Sequence, residues 1–221
     1  MVIKPARKQR QSTSKNQHRF RMRPIEVLDA DIVAGWYQHI EDVSIFDRQV
    51  PLPINHSDVI ALVKSLAADQ EKEKCRWFIA ETIEGEAVGM AGLEAINLLH
   101  GNAIMPIFVA DSWRRSGVGI RMAGVIIDLA FKQLRLHRVA TLYRADNAAS
   151  NALLNRLGFK QEGISRQSWF GQGQYFDLLN VGVLVDEWEQ VRLKLRAELN
   201  PAVTVELGPK PSAIWSWPGQ D

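Results

Sequence analysis

The sequence predicts a mixed α/β fold, one twisted sheet packed by helices. Three observations carry that prediction. A glycine-bearing turn, Trp113-Arg114-Arg115-Ser116-Gly117-Val118-Gly119, joins an apolar strand-like run at 104–110 to a long helical pattern, Val118 to Leu136. Two hairpin signatures stand on either side of it. Glu84-Gly85 separates runs 76–83 and 86–97, and Gly171-Gln172-Gly173 separates runs 159–169 and 175–185. From the turn onward the order is helix, strand, helix, strand, strand.

Taken in order, residues 19–26 form the first strand. Leu28 to Ile40 read as a helix with Asp29 or Asp31 near its start, where a carboxylate suits the positive end of the dipole. Residues 41–56, with Pro51 and Pro53, read as a loop, and a second helix runs from the cap Ser57 to Glu71. After the first hairpin, a strand over 102–111 leads into the turn. Gly124, inside the next helix, costs about 1 kcal/mol against alanine, which close packing on the sheet would explain. Residues 138–143 form a short buried strand. Asp146 or Asn147 caps a short helix that ends at Gly158. After the second hairpin, residues 186–199 form a charged terminal helix. Residues 200–221 carry four prolines with Trp215 and Trp217. They are read as a tail that docks by its indoles on the same chain or a dimer mate, or else as a partner-binding arm.

Length and composition fit one domain with tails. The chain has 221 residues, 46% hydrophobic and 24% charged, enough to bury a core. No apolar run approaches a membrane span, and the polar start is not a signal peptide. Cys75 is the only cysteine, which excludes an internal disulfide or a cysteine metal cluster and suits a reducing cytoplasm. The first 23 residues hold eight of the 27 basic residues and no acid, so the remainder carries 25 acids against 19 bases. That leader has the charge to touch nucleic acid or ribosomes, but with Phe20 alone among its bases it lacks the aromatic interleaving of nucleic-acid readout. It reads as a disordered, solvated segment.

The turn at 113–121 carries the chemistry. A strand-to-helix turn leaves main-chain N–H groups unpaired, and with the helix dipole they seat phosphate oxygens. Gly117 and Gly119 lack a Cβ, so a phosphate can approach the main chain. Arg114, Arg115 and Arg121 add charge that can pair with phosphate, although Arg115 and Arg121 read equally well as surface charges. No Gly-Lys-Ser/Thr follows, which excludes a Walker loop, and a third glycine is missing for a dinucleotide fingerprint.

Arg114-x-x-Gly117-x-Gly119, then a strand, then Asn147-x-x-Ser150 with Gly158-Phe159 resembles a GCN5-related N-acetyltransferase (GNAT). The Asn-x-x-Ser form is similar to the RimJ/RimL-type branch. The resemblance covers residues 19–190 and leaves 1–18 as the basic leader and 191–221 as helix end and tail. It implies a central, mostly antiparallel sheet splayed at the cofactor strand and flanked by helices, with acetyl-CoA as co-substrate and no metal. The implied reaction is direct attack of a primary amine on the thioester, the amine being a protein N-terminal α-amine or a small molecule. The alternatives are an amino-sugar N-acyltransferase and a non-catalytic acyl-CoA sensor or assembly module; a homodimer fits either.

The resemblance places the cofactor phosphates on Arg114, Arg115, Ser116, Gly117, Val118, Gly119 and Ile120. It places the pantetheine arm and the oxyanion along the main chain of Ile107, Phe108 and Val109. Asn147 would reach the arm and cap its helix as well. Many relatives have a tyrosine where this chain has Leu154, so Ser150 is the candidate for the leaving sulfur, with Tyr143 and Tyr175 as weaker substitutes. Glu94 is the candidate base, and Asp177 matches an acidic position near the acceptor pocket. Asp111 either assists or caps the turn, and His56, His100 and His137 read as surface residues. Trp36, Phe46, Trp169 and Phe170 are candidates for an apolar acceptor wall. The absence of a dense acidic loop argues against polyamines.

Overall fold

The computed structural model describes residues 20–37, 55–71, 74–199, 203–206 and 214–215. The basic leader, most of the 41–56 loop with Phe46, and Trp217 lie outside the described residues. Ten strands form one sheet: β1 Phe20–Pro24, β2 Arg76–Thr82, β3 Ala87–Asn97, β4 Asn102–Ile104, β5 Ile107–Val109, β6 Arg138–Arg144, β7 Lys160–Gly171, β8 Gln174–Leu184, β9 Val203–Glu206 and β10 Ile214–Trp215. Their spatial order is β10-β9-β1-β2-β3-β4-β6-β8-β7, and β5 pairs with β3 alone. Only β1 with β9 and β4 with β6 run parallel.

Helices cover both faces. On one lie α1 (Ala30–Trp36) and α2 (His56–Glu71), whose Val33, Val59 and Val63 pack with Trp77, Ile79 and Phe108 of the sheet. On the other lie α3 (Val118–Asp128), α4 (Ala148–Arg156), α5 (Val185–Lys194) and the short α6 (Arg196–Leu199). Helix α3 is apolar nearly all round and buried along its length, as a helix enclosed between layers must be. Its polar exception at the far end is anchored. Asp128 accepts from Trp188 Nε1 at 2.7 Å and from Arg192 Nε at 2.9 Å, which fixes α5 on α3.

Several expectations are corrected. The helix expected over 28–40 is a 3-10 turn, Val27–Asp29, followed by α1, with Tyr37 as its C-cap. The strand expected over 102–111 is two short strands. Pro106 lies between them, and a 3-10 turn, Asp111–Trp113, follows. The helix expected to reach Leu136 leaves α geometry after Asp128 and closes with a π turn over Leu129–Gln133. Gly124 packs not on the sheet but under α6, where an added Cβ would meet Leu199 at 3.0 Å. The terminal helix breaks at Leu195. The tail extends the sheet by main-chain pairing, β9 lying along β1.

Candidate active site

The break at Met105-Pro106 opens the sheet. Residues 102–104 pair with both β3 and β6, and Met105 N–H still donates to Ala140 O at 2.8 Å. Beyond that point β5 stays on β3 while β6 continues without it, so a gap widens between β5 and residues 141–144. Ala110 N–H donates to Val88 O, and Gly92 N–H donates to Pro106 O. Strand alternation then turns the amides of Ile107 and Val109 away from β3 and into the gap, while those of Phe108 face β3. The Phe108 side chain packs on the opposite face, its ring 5.2 Å from that of Trp36.

Helix α3 begins at the mouth of this gap. Gly117 is its N-cap with φ 85°, a left-handed conformation that glycine adopts freely. Arg115 also has positive φ, 63°. Ser116 Oγ accepts from Val118 N–H at 3.3 Å, but a glycine cap brings no side chain for the amides of Gly119 and Ile120. A Cβ on Gly119 would lie 3.3 Å from Val109 Cγ2 and 3.7 Å from Leu153 Cδ2. Gly119 therefore faces Val109 of β5 and Leu153 of α4 at contact range. Ile120 itself is buried, so only its main chain faces the turn. Arg114 is exposed and pairs with Asp111 at 2.7 Å, which occupies the Asp111 carboxylate as well. Arg115 is exposed. Arg121 is not the surface charge it could have been: it is 3% exposed.

Past the end of β6, Asn147 caps α4 by accepting from Ser150 N–H at 3.0 Å, and both side chains are half-buried. Leu154 is buried in the core. Tyr143 donates its hydroxyl to Asn151 Oδ1 at 2.9 Å, and burial raises its pKa. Glu94 stands opposite Ile104, at the point where the gap opens, and accepts from Trp77 Nε1 at 3.2 Å. Asp177 is tied into the β7–β8 hairpin, where Oδ1 accepts from Gln167 N–H at 2.8 Å, and it lines a shallow polar recess with Arg166. Tyr175 and Phe170 are exposed and stack on each other at 5.0 Å, whereas Trp169 is buried. Trp36, Trp169 and Phe170 therefore do not form one wall.

Arg144 was not among the expected residues. It is 1% exposed, lies 3.8 Å from the Phe176 ring centroid, and forks onto Asp146 at 2.9 and 2.6 Å. That fork holds the Asp146 carboxyl below its ordinary pKa. The signal in the sequence is an arginine directly after the run 138–143 read as a buried strand, just as Arg121 is a charge inside an apolar helix.

A left-handed glycine at a helix start, beside a sheet opened by one strand, is an arrangement that could seat a diphosphate and an extended arm along main-chain amides. The residues fit coenzyme A: the Gly117 cap brings no side chain to the first-turn amides of α3, and Ile107 and Val109 offer amides to the arm. Residues 19–160 match the acetyltransferase (GNAT) domain family, and the chain belongs to it. It is thus an acetyltransferase with acetyl-CoA as co-substrate, acting on amines.

The N-acetyltransferase YoaA of Bacillus subtilis is 27% identical over 157 residues, covering 71% of this chain and 88% of that one. The spermidine N-acetyltransferase of Vibrio cholerae, solved with CoA and spermine, superposes with a TM-score of 0.69 at 20% identity, covering 77% of this chain and 98% of that one. The ribosomal-protein-S5-alanine acetyltransferase of Vibrio fischeri gives 0.66 at 19% identity, over 76% and 93%. Among the described residues no helix is long and apolar enough to cross a membrane.

Proposed function

We propose that this chain transfers the acetyl group of acetyl-CoA to the α-amine of a protein or peptide N-terminus, or to a small-molecule amine of similar basicity. The observation that supports it most is the pair of main-chain amides, Ile107 and Val109, directed into the gap at the mouth of which Gly117 starts α3. Acetyl-CoA supplies an activated thioester carbonyl. In this reading the arm lies extended in a slot flanked by Val109, Gly119 and Leu153, and the β5 amides donate to the carbonyl oxygen as charge develops on it. The amine nitrogen bonds to the carbonyl carbon and loses a proton, the C–S bond breaks, and the thiol sulfur retains the bonding pair. Glu94 is placed to take the amine proton directly or through water, and Ser150 to offer a hydrogen bond to the sulfur.

An α-amine, pKa about 8, is partly neutral at physiological pH, whereas a lysine, pKa about 10.4, needs a stronger base. The carboxylates near the gap are engaged, Glu94 with Trp77 and Asp177 with Gln167, which favours the more acidic amine. The same engagement offers little to a polyamine such as the spermine of the Vibrio cholerae structure. The second reading, a non-catalytic acyl-CoA sensor, is favoured by one feature: Leu154 is buried where many relatives have a tyrosine. Free-thiol release from acetyl-CoA, measured over a panel of N-terminal peptides, amino sugars, lysine peptides and polyamines, separates them. Turnover with α-amines is expected. Tight cofactor binding with no turnover on any amine would establish the sensor.

A further inference from the structure

Arg144 ends β6, the strand that runs on past the break at Met105-Pro106 without β5 beside it. Register fixes the face it occupies. Glu94 stands opposite Ile104, and Ile104 pairs with Ala140. Alternation along β6 then puts Ala140, Leu142 and Arg144 on the face where Glu94 meets Trp77 and where α1 and α2 pack. Val139 and Tyr143 point the other way, into the core with α3 and α4. Arg144 therefore lies on the side of the gap that carries Glu94, not on the side covered by α3. It stands four residues beyond Ala140, roughly 13 Å along the strand.

The guanidinium is buried and held from two directions. Asp146 takes Nε and Nη2, and the Phe176 ring lies under Cζ. Nη1 is buried with no hydrogen-bond partner. A buried donor without an acceptor is costly, and an arginine kept only for the Asp146 pair has no use for that edge. The open edge faces the end of the β7–β8 hairpin. A Cβ on Gly171 would lie 3.2 Å from Nη1, so the glycine keeps side-chain atoms clear of it.

We propose that the open edge of Arg144 binds a carboxylate of the acceptor, and that the preferred acceptor is a peptide N-terminus with Asp or Glu as its second or third residue. The assignment rests on the α-amine reading above and narrows it. A fixed, planar guanidinium suits a carboxylate. With the amine near Glu94, the distance along β6 exceeds the span of a free amino acid. It suits an acidic side chain one or two residues further along an extended peptide.

The experiment measures kcat/KM for the peptides Ala-Asp-Ala-Ala and Ala-Ala-Asp-Ala against their Asn counterparts, all as C-terminal amides so that Asp is the sole carboxylate. Wild type should prefer one Asp peptide over its Asn counterpart by at least about tenfold. The double variant R144M/D146N, which removes both charges together, should bring that ratio near one. G171A, which keeps the ion pair and crowds Nη1, should lower it in part. Comparing one peptide pair across variants cancels any difference in amine basicity. The proposal is overturned if wild type uses the Asn peptides as well as the Asp peptides, or if either variant keeps the full wild-type ratio. Should the double variant fail to melt cooperatively, wild type and G171A decide. Absence of turnover on every peptide, acidic or neutral, would instead overturn the α-amine reading itself.

Discussion

Gly117 and Gly119 look interchangeable in sequence, but their surroundings give them different substitution costs. Gly117 sits at φ 85°, and alanine there should lose about 1–2 kcal/mol to the left-handed conformation. Its Cβ would also meet Arg121 Nη1 at 2.6 Å, so the guanidinium must move. For a domain of this size, 1 kcal/mol shifts the melting temperature by about 2–4 °C. G117A should therefore melt about 2–8 °C below wild type. Gly119 lies in the first turn of α3 without positive φ, where alanine gains up to about 1 kcal/mol in helix propensity. Its Cβ would crowd Val109 Cγ2 at 3.3 Å, which offsets part of that gain. G119A should melt within about 2 °C of wild type. It should nevertheless bind CoA at least tenfold more weakly, about 1.4 kcal/mol, because the methyl fills the slot beside Leu153. Melting without ligand and calorimetric titration with CoA read both quantities. Equal melting of G117A and wild type would refute the strain argument. Unchanged CoA affinity in G119A would refute the slot.

Other consequences concern anchoring and the acetyl site. D128A should cost about 3–5 kcal/mol in chemical denaturation, since it leaves Arg192 and the Trp188 indole at a buried site without their acceptor; a loss under 1 kcal/mol would show that α5 is held by packing alone. Asp146 has a folded pKa below its unfolded value, so its contribution is present above about pH 3.8 and fades as pH falls through the depressed value. D146N should therefore flatten the acid limb of the stability profile in that window, and an unchanged limb would refute the Arg144 fork as its cause. V109P removes an amide that faces the gap and spares the bonds to β3. It should lower kcat about 10²–10³-fold if that amide meets the oxyanion, with modest change in melting temperature. S150A should lower kcat less than about tenfold if the thiol, pKa about 8.5, departs largely as thiolate.

Much of the scaffold was legible because each strong signal had a local cause. The hairpin turns, the cap at Asn147 and the glycine turn at Gly117 all depend on residues adjacent in sequence. The break at Met105-Pro106 is not legible from the sequence, despite the proline, because an apolar run of that length also fits one continuous strand. It depends on two partners at once, β3 on one side and β6 on the other. Gly124 was read as a tight contact and assigned the wrong neighbour, since nothing local shows that α6 returns to cover α3. Arg121 and Arg144 were obscured by the general preference of arginine for water. A charge inside an apolar helix or strand is the signal that overrides that preference, and both residues carry it.

The missing tyrosine bears on how the work of catalysis is divided. Leu154 belongs to the core, so no proton reaches the sulfur from that position. Tyr143 stays protonated because burial raises its pKa, but its hydroxyl is already committed to Asn151. Ser150 gives its N–H to Asn147, so in the proposed reaction it would offer its hydroxyl to the sulfur. A thiol is acidic enough to leave without full protonation, so the loss of one acid need not stop the reaction. The burden then falls on holding the thioester still and on meeting the oxyanion with amides fixed by β3, both of which come from main chain. On the proposed mechanism, such a site would discriminate among acceptors chiefly by how readily the amine arrives neutral. That is the physical reason to expect α-amines first and lysine side chains last.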